Sequence, residues 1–368
     1  MKKTSRIKFT LILLGALFYF IANFQRIAIP GAVFDTLQHE LSVTAPYITA
    51  FGAIFMYIYA FNQLVIGVLV DRFGGLRVMF AGGAILGLGA LLFPISSNLP
   101  LMYFSRVLVG LGGSTFYLSL RREILFIIGG IVAIGVILFG ILSTKIKYPD
   151  INENIKLRTL PFRLVLHKKH NRNLFSFACC NFGISYAIQS IIGKKFLEDF
   201  CMLTPSKASI ILSVMAIIAA IFNIINASFC KMCHNHRVIF LKNASVITFV
   251  SLLIICLCLL FNIRTYYIAL IFFVLAGNAS LTSLLVPVLH LTNRKMVSGT
   301  AVSIMNFCFF MMVGFLGTAM GFLLNLFAPK QVGNVLVYSN KSYLAVFGMF
   351  FAISVFELYK ARKLSNKY

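Results

Sequence analysis

Runs of about 20 apolar residues with almost no charge recur along the whole sequence, which is the length that an α-helix needs to cross a bilayer. Inside a bilayer the backbone polar groups must bond within their own segment, so a helix is the natural form of such a run. Only 11% of the 368 residues are charged, whereas a soluble domain has about 25%. The sequence therefore predicts an all-α polytopic membrane protein and excludes a single soluble domain.

Eleven apolar segments are predicted to be spans, separated by charged or turn-forming residues. They cover roughly residues 10–34, 46–69, 78–97, 101–120, 124–143, 174–192, 208–229, 238–261, 266–290, 297–327 and 342–359. The predicted fold is a helix bundle with about 11 transmembrane helices.

The net charge of +24 arises from 33 Lys and Arg residues against 9 Asp and Glu residues. Most of the basic residues stand in the breaks between apolar segments, which is the positive-inside pattern of membrane proteins. We therefore expect the lipid bilayer, and no nucleic acid, to face these charges. The pattern predicts an integral protein of the bacterial inner (plasma) membrane with a cytoplasmic N-terminus.

The loop charges also give a conflict of topology. Arg121 and Arg122 are predicted to be cytoplasmic, and so is the loop 144–172, which has eight Lys and Arg residues. Two loops on the same side of the membrane must be separated by an even number of spans, but only one predicted span, 124–143, lies between them. One helix is therefore expected to be missing between these two places.

The stretch GVLVDRFGGLRVMF at 67–80 places an acidic–basic turn between two apolar segments. It resembles the signature loop of the major facilitator superfamily, between the second and third helices, with the pattern G-x-L-x-D-R-x-G-x-x-R. Gly75 and Leu76 depart from it, because basic residues are usual there. The resemblance implies a gating motif formed by Gly67, Asp71, Arg72, Gly74 and Arg77.

Other stretches are similar to the same family. The spacing of Tyr59, Gln63 and Gly67 is common in its second helix, and FSRVLVGLGGS, with Arg106, resembles its fourth-helix motif. The stretch GTAVSIMNF at 299–307 is similar to the start of its eleventh helix.

The resemblance implies two six-helix halves that transport a small solute by alternating access, as secondary active or facilitated transport. In those terms, residues 1–143 are a truncated N-terminal bundle of about five helices that lacks the fifth helix after Leu120. Residues 144–172 are a basic cytoplasmic linker, and residues 173–368 are a C-terminal six-helix bundle. A transport-dead or receptor-like remnant of such a transporter is the alternative.

Two arginines in apolar segments are the candidates for substrate binding, because a charge in a span is costly. In related organic-anion carriers an arginine near the position of Arg26 meets the substrate, which implies an organic anion here; snorkelling of Arg26 to the headgroups is an equal alternative. For Arg106 a structural role between helices is favoured over substrate contact. Gln63 completes the predicted substrate-binding set.

None of the nine Asp and Glu residues is predicted to lie deep in a span. His290 is then the one candidate for carrying a coupled proton, and carboxylate-based proton symport is not expected.

An enzyme is not expected, because no hydrolase or metalloprotease motif occurs. Cys230, Cys233, His234 and His236 have the spacing of a haem attachment or half a zinc site. They fill a short turn between two spans, so a polar basic turn is preferred, with no metal and no cofactor. We expect a monomer that binds a small-molecule substrate.

Overall fold

The computed structural model describes residues 28–73, 75–113, 160–232, 237–293, 295–332 and 335–365. The N-terminal half comprises residues 28–113, and the C-terminal half comprises residues 160–365. The helices of the N-terminal half are α1 (Phe34–Leu41), α2 (Ala45–Phe73), α3 (Gly75–Ile95) and α4 (Leu99–Gly112). They follow a wide turn at Ala28–Ala32 that contains a cis Ile29–Pro30 peptide bond.

The C-terminal half is also mainly helical. Its helix α6 (Lys169–Asp199) contains a π-helical turn at Ile188–Ile192. The other helices are α5 (Leu160–His167), α7 (Pro205–Met232), α8 (Arg237–Leu260), α9 (Ile268–Ala279), α10 (Thr282–Thr292), α11 (Lys295–Asn325) and α12 (Asn340–Arg362). Between α11 and α12, strands β1 (Lys330–Val332) and β2 (Val335–Val337) form an antiparallel hairpin.

Seven helices of the described residues are long and apolar enough to cross a membrane. The spans are Ala45–Val65, Lys169–Asp199, Pro205–Asn226, Arg237–Leu260, Ile268–Thr292, Thr300–Asn325 and Asn340–Arg362. Two shorter apolar helices, Phe80–Ile95 and Leu99–Gly112, accompany them. Side chains such as Ile224 and Leu260 are exposed, as expected for a surface in contact with lipid.

Local signals explain several helix boundaries. Asn98 caps α4 by accepting a hydrogen bond from the backbone N–H of Leu101 at 2.9 Å, and Pro100 stands in the first turn. Ser339 caps α12 in the same way through the N–H of Ser342.

The structure adds helices where loops were expected. Helix α1 lies in the segment 35–45, and α5 lies within the predicted linker. Helix α6 begins at Lys169 and continues to Asp199, beyond the predicted span 174–192, because its terminal charges are paired within the bundle. Three places named in the sequence analysis lie outside the described residues. They are the segment 124–143, most of the segment 10–34, and the junction after Leu120 where a helix is predicted to be missing.

Candidate functional site

The two halves meet along α2 and α11, and glycines allow a very close approach there. A Cβ atom at Gly314 would lie 2.7 Å from the ring of Tyr57, and one at Gly321 would lie 2.2 Å from the Oγ1 of Thr49. The hydroxyl groups of Tyr57 and Thr318 are 3.0 Å apart across the same contact. We call this contact between α2 and α11 the seam.

An aromatic cluster occupies the middle of the seam. It consists of Tyr59 on α2, Phe182 and Tyr186 on α6, and Phe309 and Phe310 on α11. The ring centroids of Tyr59 and Phe310 are 4.2 Å apart, and those of Phe182 and Phe309 are 4.7 Å apart. Rings at these distances form favourable aromatic pairs. The cluster joins both halves through ring contacts.

Arg106 lies next to this cluster and is only 1% exposed. Its Nε donates to the carbonyl oxygen of Phe51 at 3.2 Å, and its guanidinium also donates to the carbonyl oxygen of Ile29 at 3.4 Å. The guanidinium carbon is 5.0 Å from the ring centre of Phe55, which pairs with Tyr59. Arg106 therefore connects α4, α2 and the turn at Ala28–Ala32, and its contact with substrate stays a prediction.

An ion cluster joins the halves at one end of the bundle, which we call the acidic end. The Nζ of Lys195 is 2.8 Å from Asp35 Oδ1 and 2.9 Å from Asp199 Oδ1, so the ammonium bridges both halves. Lys195 is 1% exposed, and the paired carboxylates offset the cost of burying its charge.

Hydrogen bonds extend this ion cluster. Gln38 Nε2 donates to the hydroxyl of Tyr338 at 2.9 Å, again from one half to the other. The second oxygen of Asp199 accepts from the N–H of Tyr338 and from the hydroxyl of Tyr343. Burial raises the pKa of the Tyr338 phenol, which therefore stays neutral. The acidic end is thus closed by paired charges and hydrogen bonds.

One carboxyl group is buried in a way that the sequence did not predict. Glu357 lies near the end of the span formed by α12 and is 0% exposed. Asn181 Nδ2 of α6 donates to Glu357 Oε1 at 3.0 Å. This partner comes from a distant part of the chain, which is why the sequence alone placed Glu357 at the edge of a span.

The predicted gating motif falls at the junction of α2 and α3. Gly67, Asp71 and Arg72 belong to α2, and Arg77 is exposed on α3. Gly74 lies outside the described residues. The gating role stays a prediction.

The other predicted site residues are dispersed. Gln63 is half-buried on α2, and His290 is exposed at the end of α10, where its ring contacts the hydroxyl of Ser298. Arg26 lies outside the described residues.

The Cys/His turn is also only partly described, since Cys233, His234 and His236 lie outside the described residues. Among the residues that the structure does describe, no group of three or more His, Cys, Asp or Glu is placed to hold a metal ion.

Sequence reasoning missed the ion cluster and Glu357. The spacing of Lys195 and Asp199, four residues apart, was a usable signal, because such a pair stabilises a helix and would have extended α6. No comparable signal in the sequence connects Asp35 with Lys195, since 160 residues separate them.

The fold and the seam define a polytopic α-helical membrane protein whose two halves enclose a central contact. Residues 14–122 match the family model of the Major Facilitator Superfamily. The predicted resemblance to this family is thereby confirmed for the first part of the chain.

The comparison with solved structures extends the likeness in fold to nearly the whole chain. A bacterial homologue of the human lysosomal transporter Spinster, solved in an inward-facing and unoccupied conformation, is 13% identical, with a TM-score of 0.68 and 97% of each chain covered. A mutant of the nucleoside transporter NupG is 15% identical, with a TM-score of 0.62, and the match covers 95% of this chain and 99% of that one. A search of curated proteins finds no match. The protein has the major facilitator fold, as predicted.

Proposed function

We propose that this protein carries a small solute across the membrane by alternating access, as a secondary active or facilitated transporter. The seam is the observation that supports this function most directly. Two helical halves meet around an aromatic cluster, and the acidic end is closed by contacts that belong to both halves. Rocking of the halves would break these few polar contacts and open the solute site to that side.

The seam suits such a movement because its contacts are short-range and reversible. The ion pair of Asp35 with Lys195 and the hydrogen bond of Gln38 with Tyr338 can exchange their partners for water when the acidic end opens. The glycines of α11 allow the same helices to close again without a gap.

We further propose that the solute is an organic anion. Arg106 brings a positive charge to Phe55, whose ring pairs with Tyr59 of the aromatic cluster, and Arg26, predicted nearby from the resemblance, would add a second guanidinium. A guanidinium binds carboxylate or phosphate through two parallel hydrogen bonds. Aromatic rings suit the apolar or planar part of such a solute.

Uptake by the purified protein in sealed lipid vesicles tests this proposal. The panel contains aliphatic and aromatic carboxylates, an organic phosphate, a nucleoside and an amine of similar size; the nucleoside is included because one structural neighbour is a nucleoside transporter. We expect saturable uptake of an anion, with loss of anion binding in Arg26→Gln and normal uptake in Lys207→Gln, since Lys207 is exposed on α7. Binding without flux would favour the receptor-like or transport-dead alternative, and uptake of the amine alone would refute anion specificity.

A further inference from the structure

A polar network is buried in the C-terminal half, away from the seam, at the junction of four helices. Asn181 of α6, Thr248 of α8, Asn278 of α9 and Glu357 of α12 form it. All four side chains are at least nine-tenths buried. A buried polar group in a membrane protein costs free energy unless it is hydrogen-bonded, so each donor and acceptor can be counted.

The count shows that every donor in the network is already used. Asn181 Nδ2 donates to Thr248 Oγ1 and to Glu357 Oε1, both at 3.0 Å. Asn278 Nδ2 donates to Thr248 Oγ1 and to the carbonyl oxygen of Ala244, both at 2.9 Å. The Thr248 hydroxyl lies within hydrogen-bond reach of both the Glu357 carboxyl and the same carbonyl oxygen of Ala244, and its single proton can serve only one of them at a time.

Two buried acceptors are left over. Within the described residues, Glu357 Oε2 and Asn278 Oδ1 have no hydrogen-bond partner. An ionised carboxyl oxygen that is buried without a donor is costly, and a proton on that oxygen removes the cost.

The surroundings of Glu357 offer no compensating charge. The titratable groups that face it from α6 are the thiols of Cys179 and Cys180. Helix α8 faces it with Thr248, which does not titrate, and Asn278 of α9 reaches the network through Thr248. On α12, Lys360 lies one turn away, but its Nζ is placed over the rings of Phe356 and Tyr359. Among the described residues, no salt bridge reaches Glu357.

We propose that Glu357 is a proton-binding site. The proton comes from water, and an O–H bond forms on Oε2, which turns the unpartnered acceptor into a donor and removes the buried negative charge. A proton fits this site better than a metal cation, because a proton needs only Oε2, whereas a metal cation needs several oxygen ligands, and Glu357 Oε1 and Thr248 Oγ1 already accept from Asn181.

A cavity lies beyond this site, at the ends of the two helices that carry Asn181 and Glu357. It has a volume of about 370 Å³ and is lined by Lys169, His170, Asn173, Lys363 and Ser365, at the ends of α6 and α12. Asn173 is eight residues from Asn181 along α6, about 12 Å at the rise of an α-helix. Phe177 on α6 and Ala361 on α12 are buried, and along each helix they lie between the residues that line the cavity and the residues of the network. The carboxyl is therefore occluded, and proton exchange requires the ends of α6 and α12 to separate.

Infrared spectroscopy of the protein in lipid vesicles tests the site without any need for transport. An exposed glutamate has a pKa of about 4.3 and is ionised at neutral pH. We expect a carboxylic-acid C=O band at pH 7 that is lost in Glu357→Gln, retained in the exposed control Glu40→Gln, and titrated away as the pH rises. Glu357→Gln keeps the shape of the side chain and supplies a donor, so it should fold; Thr248→Val, which keeps Glu357, should shift the frequency of the same band.

Three results of the infrared experiment would contradict the proposal. The proposal is wrong if wild type and Glu357→Gln have the same spectrum at pH 7, because Glu357 would then be ionised. It is also wrong if the band survives unchanged to high pH, which would indicate a fixed structural acid. Loss of the band when NaCl is added at constant pH would indicate a sodium site instead.

A flux measurement extends the inference to coupling, and this step alone rests on the proposed transport function. We expect Glu357→Gln to keep solute exchange at equal concentrations and to lose accumulation driven by a pH gradient. Gradient-driven accumulation at the wild-type level in Glu357→Gln would overturn coupling through this residue. Absence of all flux in the wild type would refute the transport function, while the infrared titration would still decide on the proton site.

Discussion

Replacement of Lys195 by Gln should open the acidic end of the seam. The substitution leaves the carboxylates of Asp35 and Asp199 buried together without their shared cation. Removal of one partner of a buried ion pair costs about 3–5 kcal/mol. The side chain of Asp35 is 20% exposed, so solvent reduces the cost of losing its ion pair with Lys195. We take about 2 kcal/mol as the loss of free energy that holds the acidic end closed. That value corresponds to a roughly thirtyfold shift toward the open form.

Distance measurements by double electron–electron resonance can follow this change. Spin labels at Thr36 and Met202, which are exposed in opposite halves at the acidic end, should report a longer distance in Lys195→Gln than in the parent protein. Lys207→Gln is the matched control, because Lys207 is an exposed lysine at the start of α7. Equal distance distributions in both variants and the parent would refute a closing role for the ion cluster.

Three further predictions concern the packing and chemistry of the described helices. Gly321→Ala places its methyl group 2.2 Å from Thr49 Oγ1, so it should favour the open acidic end, whereas Gly348→Ala has no atom within 4 Å and should behave as wild type; the same spin-label distance compares them. Arg106→Gln loses hydrogen bonds to two backbone carbonyls and should lower the free energy of unfolding by about 3 kcal/mol in a denaturation experiment, and an unchanged stability would contradict the assigned contacts. Burial raises the pKa of the Cys201 thiol to about 12, so at pH 8 only about one thiol in ten thousand is the reactive thiolate; maleimide labelling followed by mass spectrometry should find this residue slow, and labelling at the rate of a free thiol would contradict its burial.

The helices were predictable because hydropathy and length are local properties of the sequence. The apolar segments at 208–229 and 238–261 became α7 and α8 with small changes at their ends. The end of α6 was not predictable in this way. Lys194 and Lys195 suggested a loop, but in the structure both pair with acidic residues one turn further along the helix, and Lys195 also pairs with Asp35.

The candidate site depends on contacts that no single segment contains. Arg106 was predicted from its apolar surroundings and the resemblance, whereas its carbonyl partners could be found only when α2 and α4 were packed together. Glu357 shows the same limit more strongly. Near the end of an apolar segment its sequence neighbours suggest an interfacial charge, but the packing of α12 against α6 and α8 buries it completely.

Helix α6 belongs to both polar systems and gives a physical route between them. Its Lys195 closes the acidic end, and its Asn181 binds Glu357 fourteen residues earlier, about 21 Å away along an α-helix. The π-helical turn at Ile188–Ile192 lies between the two, and such turns often accompany functional positions in helices. A movement of α6 that opens the acidic end would therefore also move the amide that holds the Glu357 carboxyl. Because coupling between two sites is reciprocal, a proton that binds Glu357 more tightly in one conformation must favour that conformation at the seam, even though the proton never enters the solute site.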